Sequence, residues 1–206
     1  MLDPGRGIDA VATVGVADGV ITGLDPGPGA AAVPGDRRTI YATGLLVTPG
    51  LVDLHTHLFP GVSHYGIEPD TYCAGRGVTT AVDAGSAGAQ TFPGLRRYVI
   101  ERSATRILAF LNIAVEGMIT SLVGELEDIR WGSPEQAIAR ARENPDLIVG
   151  IKVRLGYQMV GNDPGPALRL AREAADALGL PLMVHVIDIR PSLASRSAGP
   201  GSLPTI

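Results

Sequence analysis

The chain has 206 residues, 45% hydrophobic and 18% charged, enough for a sizeable core in one large domain or a medium domain with a small neighbour. A net charge of −4 with scattered arginines argues against nucleic acid and for a small-molecule partner. There is no run of about 18 apolar residues for a membrane span and no basic-then-apolar leader, so the expected setting is cytoplasmic, and the lone Cys73, read as a small buried apolar residue, excludes an internal disulfide framework.

Residues 1–48 are rich in Gly, Pro and short valine-containing runs, and Asp18-Gly19 is a two-residue hairpin signal. They predict a small β module in which Met1 runs directly into the turn Leu2-Asp3-Pro4-Gly5, with no leading strand. Pro26 to Asp36 reads as a loop, and Thr39 to Ala42 and Leu45 to Val47 as extended again. From Pro49 the pattern becomes alternating strand and helix. Leu51–Leu54, Val78–Val82, Ile107–Ile113, Leu147–Val153 and Leu182–Val186 are short apolar runs suited to parallel strands covered on both faces. Ser133-Pro134-Glu135-Gln136 supplies an N-cap, a first-turn proline and a capping-box Gln for a helix that stops before Asn144-Pro145. A second stripe, Ala167, Leu170, Ala171, Ala174 and Leu178, is closed by Gly179. The fold class is therefore α/β with a parallel sheet, either open and doubly wound or the first part of a (β/α)8 barrel. From residue 187 the breakers of Pro191 to Pro204 predict a disordered tail.

Few polar residues interrupt the apolar strands, and they are chemically coherent. His55 and His57 stand two apart at the end of the first run, so a strand turns both imidazoles to one face, half of a metal site. His185 sits near the end of the fifth run and Lys152 within the fourth. Ligands bind at the carboxyl ends of strands in such folds, so all four can converge on one mouth. A bare His-x-His also suits a strand end with two satisfied histidines. Lys152 is the chain's single lysine, where arginine serves elsewhere. Burial lowers a lysine pKa, and a neutral amine can capture carbon dioxide as a carbamate whose oxygens bridge two metals; the alternative is a lysine snorkelling outward or pairing with Asp83. His64, in the loop after the first strand, reads as a solvated loop histidine, with contact to a substrate as the alternative. Asp83, Ser86, Asn112 and Glu116 follow strands and either line a pocket or cap loops.

Pro49-Gly-Leu-Val-Asp-Leu-His-Thr-His57, Gly77-Val-Thr-Thr-Ala-Val-Asp-Ala-Gly85, Gly150-Ile-Lys-Val-Arg-Leu155 and Leu182-Met-Val-His-Val186, in that order, resemble the amidohydrolase superfamily and its dihydroorotase-like amidohydrolase/deacetylase group. The resemblance implies a partial TIM barrel of about five βα units over residues 49–186. It also implies a small β-sandwich module at 1–48 lacking its first strand, with 187–206 outside the family pattern. It implies two divalent ions, most often Zn2+, with His55 and His57 on one, His185 on the other and Lys152 bridging as its CO2 carbamate. Water activated there attacks an amide or ester carbonyl of a small N-acyl or cyclic amide substrate. The family's later histidine and its general-base aspartate have no counterpart after Val186. True dihydroorotases carry an arginine two residues beyond the second histidine, where this chain has Leu58-Phe59, which disfavours dihydroorotate. The expectation is thus a truncated, impaired hydrolase; the alternatives are an inactive fragment with partial metal binding, a dihydroorotase-type cyclic amidase, or a metal-free α/β binding module. An incomplete barrel exposes a sheet edge that favours pairing with another chain, so a homo-oligomer is compatible.

Overall fold

A computed structural model of the chain describes residues 1–26 and 38–187. The fold divides into two compact units, Met1–Leu51 and a larger one beginning at Val52. In the first, β1 (Leu2–Asp3) pairs antiparallel with β2 (Ile8–Asp9), and β3 (Ala12–Ala17) pairs with β4 (Val20–Pro26). Asp18 and Gly19 turn the second hairpin with φ of 52° and 75°, the left-handed pair that a two-residue hairpin turn of matching twist requires. The expected β module is thus two two-stranded sheets.

It departs from expectation at two points. A strand does precede the Pro4-Gly5 turn, though it is only two residues long. Asp3 ends it, because its carboxylate accepts the Arg6 N–H at 3.3 Å and bends the chain into a single 3-10 turn. Thr39–Ala42 and Leu45–Val47 form no strand; instead Leu45 N–H bonds Ala42 C=O at 2.9 Å in a turn. Ile40, Tyr41, Leu45 and Leu46 are all exposed, and the segment meets β1 only through Val47 C=O, which accepts the Leu2 N–H at 2.9 Å. Residues 27–36 of the predicted loop, and 188–206 of the predicted tail, lie outside the described residues.

The larger unit holds β5 (Leu51–Thr56), β6 (Val78–Gly88), β7 (Arg106–Asn112), β8 (Ile148–Gly156) and β9 (Leu182–Ile187) in one sheet, ordered as in the chain. Pairing is parallel from β6 through β9. Between the strands run α1 (Pro69–Tyr72), α2 (Phe92–Tyr98) and α3 (Pro134–Glu143), then α4 (Tyr157–Val160) and α5 (Gly165–Leu178). A doubly wound sheet reverses strand order at a switch point, whereas this sheet winds one way only, so the architecture is a partial TIM barrel. Its curl is strong. Four strand spacings would separate the sheet's outer strands by roughly 19 Å if it were flat, yet the rings of His55 on β5 and His185 on β9 are 5.6 Å apart.

Local chemistry explains the helices that back this arc. The Ser133 hydroxyl accepts the Gln136 N–H at 3.3 Å and Pro134 takes the first turn, where its missing N–H costs nothing. Asn144 stops α3 by donating its side-chain amide to Arg140 C=O at 2.9 Å. On α5, Ala167, Ala171, Ala174 and Ala175 form the buried stripe, and Gly179 caps it in the left-handed conformation. That stripe joins Ile151, Val153 and Leu155 of β8 in the core. Strand alternation then turns Lys152 and Arg154 the opposite way, into the concave side of the arc. Cys73 is buried, as expected. Among the described residues no helix is long and apolar enough to cross a membrane.

Candidate functional site

The three histidines and the lysine meet at the carboxyl rim of the arc. His55 and His57, on one face at the end of β5, have ring centroids 5.8 Å apart, and His55 reaches His185 at 5.6 Å. Lys152, level with Asn112 on β7 and Met183 on β9, is fully buried. Its charge bears on all three imidazoles, which measures how near it stands. Among the described residues, no hydrogen-bond partner reaches Lys152 Nζ or the buried Nδ1 of His185. An unpartnered buried amine is costly, so such a group marks a place where another species is accommodated.

Electrostatics keep the imidazoles neutral and make the lysine easier to deprotonate. Burial, followed by the Lys152 charge, lowers His57 to about 4, and the same two causes lower His55 and His185. Burial and the neighbouring Arg154 guanidinium lower Lys152 to about 8, against a weaker upward pull from Asp83 and Glu125. Neutral imidazoles and a readily neutralised amine suit a divalent cation, which takes lone pairs rather than competing protons. The spacing is compatible too. Two imidazoles sharing one zinc at about 2.1 Å from each nitrogen have centroids roughly 5 Å apart, slightly less than the 5.6 and 5.8 Å found here. Among the described residues no three His, Cys, Asp or Glu side chains already form a ligand cluster. The set is instead a chain of three rings with a lysine, a residue that ligates only once its proton is gone.

Other polar residues at the rim have defined tasks. Asp83, with no exposed surface, accepts the N–H of Leu58 at 2.7 Å, of Gly85 at 3.1 Å and of Ser86 at 2.7 Å, joining the end of β6 to the segment after His57. Ser86 Oγ lies 3.0 Å from His57 Nδ1. Asn112 donates to Gly85 C=O at 3.0 Å and accepts the Ala114 N–H at 3.0 Å, so it caps loops. Gly85 has φ of +89°, and a Cβ there would come within 2.6 Å of Lys152 Cγ. Glycine is what lets the β6 end lie against the lysine stem. His64 is not a solvated loop residue: its ring is half-buried 4.1 Å from that of Tyr65, and its Nδ1 is buried. Tyr65 also faces His57 at 5.8 Å. Glu116, in the loop after β7, is half-buried, and burial raises its pKa.

Two participants escaped the sequence reading. Arg154 and Glu125 form a buried bidentate pair, with Nε to Oε1 at 2.6 Å and Nη2 to Oε2 at 2.8 Å. Arg154 was detectable as a second charge two residues after Lys152, hence on the same face of a buried strand. Glu125 carried no such signal, since it arrives from an irregular loop.

No family model matches the chain. It is similar to a deacetylase of Agrobacterium fabrum, 42% identical over 154 residues that cover 74% of this chain and 38% of that protein. It is also similar to a dihydroorotase of Citrifermentans bemidjiense, 30% identical, covering 92% of this chain and 41% of the relative. Among solved structures, a dihydroorotase matches with a TM-score of 0.79 at 37% identity, over 87% of this chain and 48% of that one. An adenine deaminase matches at 0.73 and 26% identity, over 90% and 49%. The chain thus spans well under half the length of these two curated relatives. These likenesses identify the chain as a member of the amidohydrolase superfamily, alongside deacetylases and dihydroorotases.

Proposed function

We propose that this chain carries the metal-binding part of a metal-dependent amidohydrolase of deacetylase type, which hydrolyses an amide or ester bond of a small N-acyl substrate. The observation that carries the reading is the meeting of His55, His57 and His185 around a buried, unpartnered Lys152. His55 and His57 would hold one divalent ion, His185 a second, and Lys152, as its CO2 carbamate, would join them; zinc suits this donor set. When bound, the ions supply Lewis acidity that activates water and polarises the carbonyl. The protein's own part is to keep three imidazoles neutral, hold Lys152 where it loses its proton readily, and exclude water from its stem.

Deacetylation is favoured over dihydroorotate chemistry. Leu58 and Phe59, which follow His57, are both buried in the core and offer no charge for a substrate carboxylate. Turnover by these residues alone is proposed to be weak. The carboxylates whose charge the donors feel are already engaged: Asp53 with the His55 N–H, Asp83 with three backbone N–H groups, and Glu125 with Arg154. Asp83 and Glu125 are thereby committed, while Asp53 accepts a single backbone N–H on one of its two oxygens.

The test is metal analysis of purified protein alongside His55→Ala and Lys152→Ala, with native mass spectrometry for a 44 Da adduct on Lys152, the mass that CO2 adds. Bound zinc lost in both variants is expected, with hydrolysis of N-acetyl compounds far below that of a full-length relative. Metal uptake unchanged by both substitutions overturns the site, and rapid hydrolysis by the purified chain overturns the second part.

A further inference from the structure

Resting on the amidohydrolase reading for what the ligand is, we infer that the cleft beside the β7 rim takes the far end of the substrate, a cationic nitrogen on an apolar stem, and that Glu116 receives it.

The cleft has a volume of about 340 Å3 and lies between the loop after β7 and the turn before α3. Ile119, Val123 and Trp131 are its apolar walls, and Glu116, Glu125 and Asp128 its polar ones. Backbone bonds hold these walls in place. Val115 N–H bonds Trp131 C=O at 3.0 Å, which sets Glu116 next to the indole strand of the loop. Met118 N–H bonds Ser86 C=O at 3.0 Å, and the Thr91 hydroxyl donates to Glu116 C=O at 2.9 Å. On the other side Leu126 N–H bonds Met159 C=O at 2.9 Å. The apolar walls are nonetheless open to solvent, with Ile119, Val123 and Trp131 each about half exposed, so a stem laid along them gains by leaving water.

Charge selects the head group. Glu125 is matched by Arg154 and Asp128 by Arg130, so each carries its own counter-ion. Glu116 has none among the described residues. It is half-buried, its Oε2 is buried without a hydrogen-bond partner, and the one other side-chain charge bearing on it is the like charge of Glu125. A carboxylate so placed is relieved by a cation. Position ties the cleft to the chemistry. Glu125 in its wall bonds Arg154, two residues beyond Lys152 on the same face of β8, and its charge is felt at both Lys152 and His185. An N-acyl amine with its acyl group at the imidazoles can therefore direct its ammonium end toward Glu116.

Trp131 is the single tryptophan of the chain, and its fluorescence reports occupancy of the cleft. Metal-free and zinc-loaded chain are titrated at pH 8 with three probes of matched length: cationic N-acetylcadaverine, neutral N-hexylacetamide and anionic N-acetyl-ε-aminocaproate. Wild type is expected to bind the cationic probe about 10–100-fold more tightly than the neutral one, the span of a charge-assisted hydrogen bond. Glu116→Gln, nearly isosteric, is expected to erase that preference and leave binding of the neutral probe unchanged. Val123→Arg, at an exposed wall position, brings a cation into the cleft and is expected to erase it as well. Equal affinity for the cationic and neutral probes in wild type overturns the inference, as does tighter binding of the anionic probe or a preference that survives in either variant. If the chain takes up no zinc while the metal-free protein keeps a Glu116-dependent preference, the metal reading fails and the cleft stands.

Discussion

Replacing Gly85 by alanine is the sharpest probe of how the rim is built. The residue has φ of +89°, and a Cβ would meet Lys152 Cγ at 2.6 Å and Lys152 Cβ at 2.9 Å. Left-handed backbone at a non-glycine residue costs about 1–3 kcal/mol, and forcing a methyl into a packed site costs about 1–3 kcal/mol more. The sum, roughly 2–5 kcal/mol, is a large share of the ~5–15 kcal/mol that holds a typical domain together. Equilibrium urea unfolding should show the midpoint falling by on the order of 1–3 M at unchanged slope. Adding Lys152→Ala removes the nearest contact but leaves the backbone strain, so the double variant should recover part of the loss, with a coupling of about 1 kcal/mol. A Gly85→Ala protein as stable as wild type, or losses that simply add, would refute the packing of the β6 end on the lysine stem.

Further outcomes follow from the same geometry. In the metal-free chain, Lys152 has its pKa lowered to about 8 from an ordinary 10.5, so the unfolded chain holds the extra proton between these values. The penalty, roughly 3 kcal/mol, is complete below about pH 8 and vanishes as pH rises toward 10.5. Lys152→Met should therefore raise the urea midpoint at pH 7 and do so much less at pH 10. His57, lowered to about 4, should show no NMR titration between pH 5 and 8, and stability should fall on acidification from about 6.5 to 4 as the unfolded chain takes up that proton first. Glu125→Ala strands the buried Arg154 charge and should cost about 3–5 kcal/mol by urea unfolding, whereas Glu125→Leu with Arg154→Met should cost far less.

His55, His57, Lys152 and His185 stood out because each interrupts or ends a run of apolar residues, although only Lys152 lies in a strand buried along its length. The parallel sheet was legible for the same cause, since β8 is buried along almost its whole length. The sequence could not distinguish a doubly wound sheet from a partial barrel by periodicity, because both use the same strands and helices and differ only in which neighbour each strand chooses. Asp83 and Ser86 were visible as residues, but their contacts with Leu58 and His57 were not, because these join positions far apart in the chain. Ile40, Tyr41, Leu45 and Leu46 misled in the opposite sense. Strand-like composition is expressed as a strand only where side chains also pack, and these are exposed, with a single backbone bond from Val47 C=O to Leu2 N–H of β1.

The contact between His55 and His185 spans 130 positions of sequence and joins the two outermost strands of the arc. On the proposed reading, ions held by His55 and by His185 and joined through Lys152 would act as a latch, linking the first strand of this sheet to the last. Such a latch has no equivalent in an unfolded chain, so each decade of free metal above the dissociation constant adds about 1.4 kcal/mol of resistance to unfolding. Removing metal would then open the molecule from its rim, with strands β5 and β9 parting first.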